Sequence, residues 1–68
     1  MKSLSGKDFG KILERHGWSL LRVQGSHHIY GKASSDIRIS LPIHGNHAIK
    51  TGLLRHFMKV AGLTEKDL

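Results

Sequence analysis

Sixty-eight residues without a cysteine make a single domain, residues 1–68, with a thin core, no disulfide and no thiolate metal ligand. No apolar run approaches the roughly 18 residues of a membrane span, which excludes a membrane-spanning helix. Eleven Lys and Arg against five acids give a net charge of +6, the electrostatic footprint of a domain that meets an acidic partner such as nucleic acid, with a merely solvated basic surface as the plainer alternative.

The opening "MKSLSGKDFGK" has no apolar h-region, so a cytoplasmic location is expected. "LSGKDFGKILERHGW" then predicts a helix with both ends marked. Ser5 is an N-cap whose hydroxyl is free to accept from the Asp8 N–H. Leu4 and Phe9 have the spacing of a hydrophobic staple. Phe9, Ile12 and Leu13 share one face, while Lys7, Lys11, Glu14 and Arg15 point away. Gly17 supplies the left-handed position after the helix, from which Trp18 folds back onto Leu13. Gly10, inside the helix, costs about 1 kcal/mol against alanine unless another element needs the close approach.

From Ser19 the apolar period becomes two. "SLLRVQ" and "HHIYGK" read as strands, with Gly25-Ser26 between them as a two-residue type II′ turn. "GKASS" makes a looser turn into "DIRISLPI", whose Ile37, Ile39 and Leu41 alternate with Arg38 and Ser40 until Pro42 ends the strand. "HGNH" is a loop. A second helix is expected from about His47 or Lys50 to Ala61, with Leu53, Leu54, Phe57, Met58 and Ala61 at helical spacing. Gly62 closes it, and Thr64 caps a last turn. The expected fold is α+β: one small α-β-β-β-α domain with a three-stranded antiparallel sheet and two helices covering one of its faces.

The hairpin turn decides what each of two adjacent histidines faces. A two-residue loop pairs Gln24 with His27, Val23 with His28, Arg22 with Ile29 and Leu21 with Tyr30, and paired residues share a face. Leu21, Val23, His28 and Tyr30 therefore turn toward the helices. Arg22, Gln24, His27 and Ile29 turn to solvent, joined from the third strand by Arg38 and Ser40. A one-residue slip would exchange the two histidines.

"GSHHIY", then "ISLPIH", then "TGLLRHFMKVAGL", in this order over nearly the whole chain, resembles the HicA toxins. The resemblance implies a double-stranded-RNA-binding-like version of this fold and an mRNA-cleaving toxin of a type II toxin–antitoxin system, silenced by a HicB-like antitoxin. In that family the functional histidine directly follows Gly-Ser, which is His27 here, the one the hairpin turns outward. The chain departs from the family where Thr51 precedes Gly52 in place of the more usual Lys-Gly-Thr, and in carrying an extra His47.

The chemistry expected of such a site is metal-independent cleavage of mRNA. RNA carries its own nucleophile in the 2′-OH, and an imidazole can take or give a proton at cellular pH. His27 is the catalytic candidate, with His28 and His44 as secondary ones. Arg22 and Arg38 are placed to hold phosphates, with Gln24 on the same face. Tyr30 belongs to the core, and His16 and His56 to helix surfaces. The alternative is a non-catalytic RNA-binding module, in which Lys32, Lys50 and Lys59 carry the affinity and His27 is dispensable. His44-x-x-His47 has a two-ligand spacing, but no acid joins a histidine cluster, so neither a metal nor a small-molecule cofactor is expected.

Overall fold

An apolar stripe that follows a capping serine becomes the first helix, α1, over Gly6–Arg15. In the computed structural model, which describes residues 3–68, the Asp8 N–H donates to Ser5 Oγ at 3.1 Å. The helix ends as its sequence predicts. Gly17 takes φ +91°, its N–H donates to Glu14 O at 3.3 Å, and the Trp18 N–H donates to Leu13 O at 3.0 Å. That pair of bonds satisfies the last carbonyls of α1 and turns Trp18 into the core.

Three antiparallel strands follow in spatial order: β1 (Ser19–Gln24), β2 (His27–Lys32) and β3 (Ser35–Pro42). Gly25 adopts φ +58° and Ser26 a negative φ, the sign pattern of the expected turn. Gln24 pairs with His27, Val23 with His28 and Arg22 with Ile29, as the two-residue loop requires.

Beyond Arg22 the register shifts. A bulge puts Leu20, not Leu21, opposite Tyr30, which corrects the expectation that Leu21 faces the helices. The extra residue re-aims its side chain onto the open face. There the Leu21 Cδ1 lies 2.6 Å from where a Cβ on Gly31 would stand. A second irregularity separates the Gly31–Arg38 pair from Lys32–Ser35. Ile37 falls within it and stays 48% exposed, so the alternation that promised it to the core stops at Ile39. The β2–β3 connection is also tighter than expected, since Lys32 already pairs with Ser35.

The second helix, α2, spans Thr51–Ala61 and begins later than His47, with Lys50 at its N-cap. Gly62 closes it at φ +71°, while the Leu63 N–H donates to Met58 O at 2.8 Å. A capped 3₁₀ turn, Glu65–Asp67, follows Thr64. The helices meet on one face of the sheet. Phe9, Ile12 and Leu13 of α1 and Leu54, Phe57 and Met58 of α2 pack with Tyr30, Ile39 and Leu41 in one cluster, and the Phe9 and Phe57 rings stack at 6.2 Å. The connection ahead of α2 is tied to the start of α1, because the Ile49 N–H donates to Leu4 O at 2.7 Å.

Gly10 has the close neighbour its position required. A Cβ there would lie 2.5 Å from the Tyr30 hydroxyl, so the phenol rests directly on the helix backbone. Gly10→Ala is expected to destabilise the protein although alanine is the better helix former by about 1 kcal/mol. In a Tyr30→Phe background the collision is relieved and the same change should cost less or turn favourable. Urea melts of the four proteins measure the coupling, and an equal cost in both backgrounds would refute the contact.

Candidate active site

The hairpin fixes where the first candidate side chain goes. His27 opens β2 directly after the Gly25-Ser26 turn, flanked across the sheet by Gln24 on one side and Pro42 on the other. The Ile43 N–H donates to Ser26 O at 2.7 Å, which carries the pairing past Pro42 and holds the turn against the third strand. His27 is exposed. His28, one residue on, is half-buried and turned to α1, where it shares a groove with Lys7, Lys11 and Glu14. The sheet stands between the two imidazoles, so His28 cannot serve a phosphate held at His27.

A cleft of about 430 Å³ opens between β3 and α2. The sheet contributes His27, Arg38, Ser40 and Pro42, and α2 contributes Leu53, His56 and Val60. Ile39 and Phe57, 2% and 7% exposed, close its floor. Arg38 is held in place from behind. Its side chain runs over Gly31, 3.2 Å from where a Cβ would be, and Nη1 donates to Ser35 O at 3.3 Å and Ile37 O at 3.1 Å. A guanidinium has five N–H donors in a planar fork, so this anchoring leaves donors to offer an anion. Gly31 is what lets the arginine lie flat.

The other expected contacts distribute unevenly. Arg22 and Gln24 sit on β1 across from Ile29 and His27, on the same open face as the cleft mouth. Ile29 itself, expected in solvent, is only 9% exposed, because the central strand sets it between Arg22 and Ser40. Lys32 lies five residues along β2 from His27, about 17 Å at strand spacing. Its Nζ stands 5.6 Å from the centroid of the Trp18 ring, a cation–π contact. It is therefore remote from the histidine. Lys50 and His44 share a second hollow of about 220 Å³ with His47, bounded by Pro42 and Leu53. Those last two residues also border the His27 cleft. His44 thus adjoins the cleft without entering it. Tyr30 is core, 5% exposed, and its burial, with the charge of Glu14 adding, raises the phenol above its ordinary pKa. Among the described residues no group of three or more His, Cys, Asp or Glu could hold a metal ion, and no helix is long and apolar enough to cross a membrane.

His56, expected only on a helix surface, is the cleft residue that sequence reading did not place beside His27. It sits on α2 with its ring 5.9 Å from that of Phe57, tilted by 50°, and it faces the cleft that contains His27. Its signal was present in the spacing. Leu53, His56 and Val60 form a stripe beside the core stripe of Leu54, Phe57 and Met58, but which neighbour that stripe meets depends on where α2 docks.

A family model described as the HicA toxin of bacterial toxin–antitoxin matches residues 6–63 of the chain. The chain is also similar to a solved structure, "HicA3 and HicB3 toxin-antitoxin complex", with a TM-score of 0.69 and 28% identity over 87% of this chain and 94% of that one. No curated protein matches it.

Proposed function

The chain belongs to the HicA toxin family of bacterial toxin–antitoxin systems, and on that premise we propose that it is a metal-independent endoribonuclease acting on mRNA, with His27 as its general base. The observation that carries this reading is the placement of an exposed imidazole at the mouth of a cleft that also holds an anchored arginine. The net charge of +6 draws a polyanion to that surface. His27 takes the proton of a ribose 2′-OH. The 2′-oxygen then bonds to the adjacent phosphorus as the bond from phosphorus to the 5′-oxygen breaks. The ends left are a 2′,3′-cyclic phosphate and a 5′-hydroxyl. Arg38 binds the non-bridging oxygens and offsets the charge that develops on them. Arg22 and Gln24 extend the same face along the RNA backbone, and Lys50 offers a contact from the adjoining hollow.

Silence in the cell requires that this face be covered. A HicB-like antitoxin that presents acidic groups to Arg22, Arg38 and the cleft would supply both charge complementarity and steric closure. The similar solved structure is itself a toxin–antitoxin complex.

The deciding experiment incubates the purified protein with mRNA in EDTA and analyses the fragment ends. Cleavage with cyclic phosphate and 5′-hydroxyl ends is expected. Binding without cleavage would instead assign the domain to non-catalytic RNA recognition, and cleavage that vanishes in EDTA would contradict a metal-independent mechanism.

A further inference from the structure

The proposed transesterification moves two protons, and His27 handles only one. We propose that His56 handles the other, as the general acid that protonates the departing 5′-oxygen. This rests on reading the cleft as a ribonuclease centre.

The composition of the cleft points to His56. Its lining holds no Asp, Glu, Lys or Tyr; its ionisable groups are His27, Arg38 and His56. Arginine does not give up its proton in proteins, so His56 is the one remaining side chain there suited to proton transfer near neutrality. Its position fits as well. Attacking and leaving oxygens stand on opposite sides of phosphorus in an in-line displacement, which calls for base and acid on facing walls. His27 belongs to the sheet wall and His56 to the helix wall. Leu53 and Pro42 both border the two hollows, which sets that end of α2 near the strand position paired with His27. His56 follows three residues later, about 4.5 Å along the helix axis.

The step balances without a co-reactant. His27 gains the 2′-OH proton, the O2′–P bond forms as the P–O5′ bond breaks, and the His56 imidazolium gives its proton to O5′. Exchange with water restores both rings.

The test uses an oligonucleotide spanning a mapped cut site and its twin with sulfur replacing the bridging 5′-oxygen. A thiolate leaves with little need of protonation, since thiols titrate near 8.5. His56→Ala and His56→Gln should cut the oxygen substrate about 10²-fold or more slowly, yet cut the sulfur substrate within about tenfold of wild type. His27→Ala should be slow on both. Cleavage of the oxygen substrate by His56→Ala at the wild-type rate overturns the inference while leaving the ribonuclease reading intact. So does an equal loss on both substrates, which marks a positioning role, and so does rescue of His27→Ala by sulfur in place of His56→Ala. A wild-type protein that cuts neither substrate overturns the ribonuclease reading and the acid role together.

Discussion

His27→Ala should lower the rate of RNA cleavage by about 10²- to 10⁴-fold, the usual worth of a general acid or base, and abolish growth inhibition on expression. The fold should not change, because the side chain is exposed and substitutions at such positions move stability by about 0.5 kcal/mol or less. Circular dichroism and a thermal melt beside the cleavage assay separate the two effects. RNA affinity should fall far less than rate, since Arg22, Arg38 and Lys50 remain to hold the backbone. A variant that still cuts within a few-fold of wild type would remove His27 from the proton transfer. His28 would not replace it, because it faces α1 across the sheet.

Phe9→Ala should have the largest effect on stability. The ring is fully buried and stacks on Phe57 at 6.2 Å, so it joins the two helices beneath the sheet. Truncating a buried phenylalanine costs about 3–5 kcal/mol. A core of this size rarely supplies more than about that much in total. The variant is therefore expected to be largely unfolded at 37 °C, and any folded remainder to have α2 loosened from β3. Since the cleft has β3 and α2 as its walls, activity should disappear with the packing even though no cleft residue is changed. Urea unfolding at 25 °C reads the loss directly. A cooperative transition within about 1 kcal/mol of wild type would contradict the central place given to Phe9.

Local chemistry made most of this fold readable in advance. Ser5, Gly17 and Gly62 mark helix ends because caps and left-handed closures are satisfied by residues a few positions away. The Gly25-Ser26 turn fixed the face of His27 and His28 for the same reason, as the parity of a hairpin propagates from its loop. Leu21 and Ile37 were misread where that propagation stops. Each lies at a register shift, and neither "SLLRVQ" nor "DIRIS" contains a glycine or proline that would announce one. Gly31, on the strand between them, does have a structural reason, the close approach of Leu21 and Arg38, but a lone glycine does not say which neighbour needs the space. His56 belongs to a third kind. Its helix was foreseen and its neighbour was not, because the docking of α2 beside β3 is set by the whole core. Lys32 was grouped with the RNA contacts by charge alone, and the strand carries it to the Trp18 end, remote from His27.

The bulge at Leu21 also bears on how the molecule behaves in company. β1 is an outer strand of the sheet, and Leu20, Leu21 and Val23 are 42%, 53% and 54% exposed. An edge of that kind is a template on which further chains can add. A strand arriving along β1 needs an unbroken row of donors and acceptors, and the bulge interrupts that row and increases the local twist. Arg22, next to it, brings a charge that identical copies would have to bring together. The irregularity that defeats the simple reading of "SLLRVQ" thus opposes strand addition at an apolar edge, and straightening it would favour fibrous self-assembly.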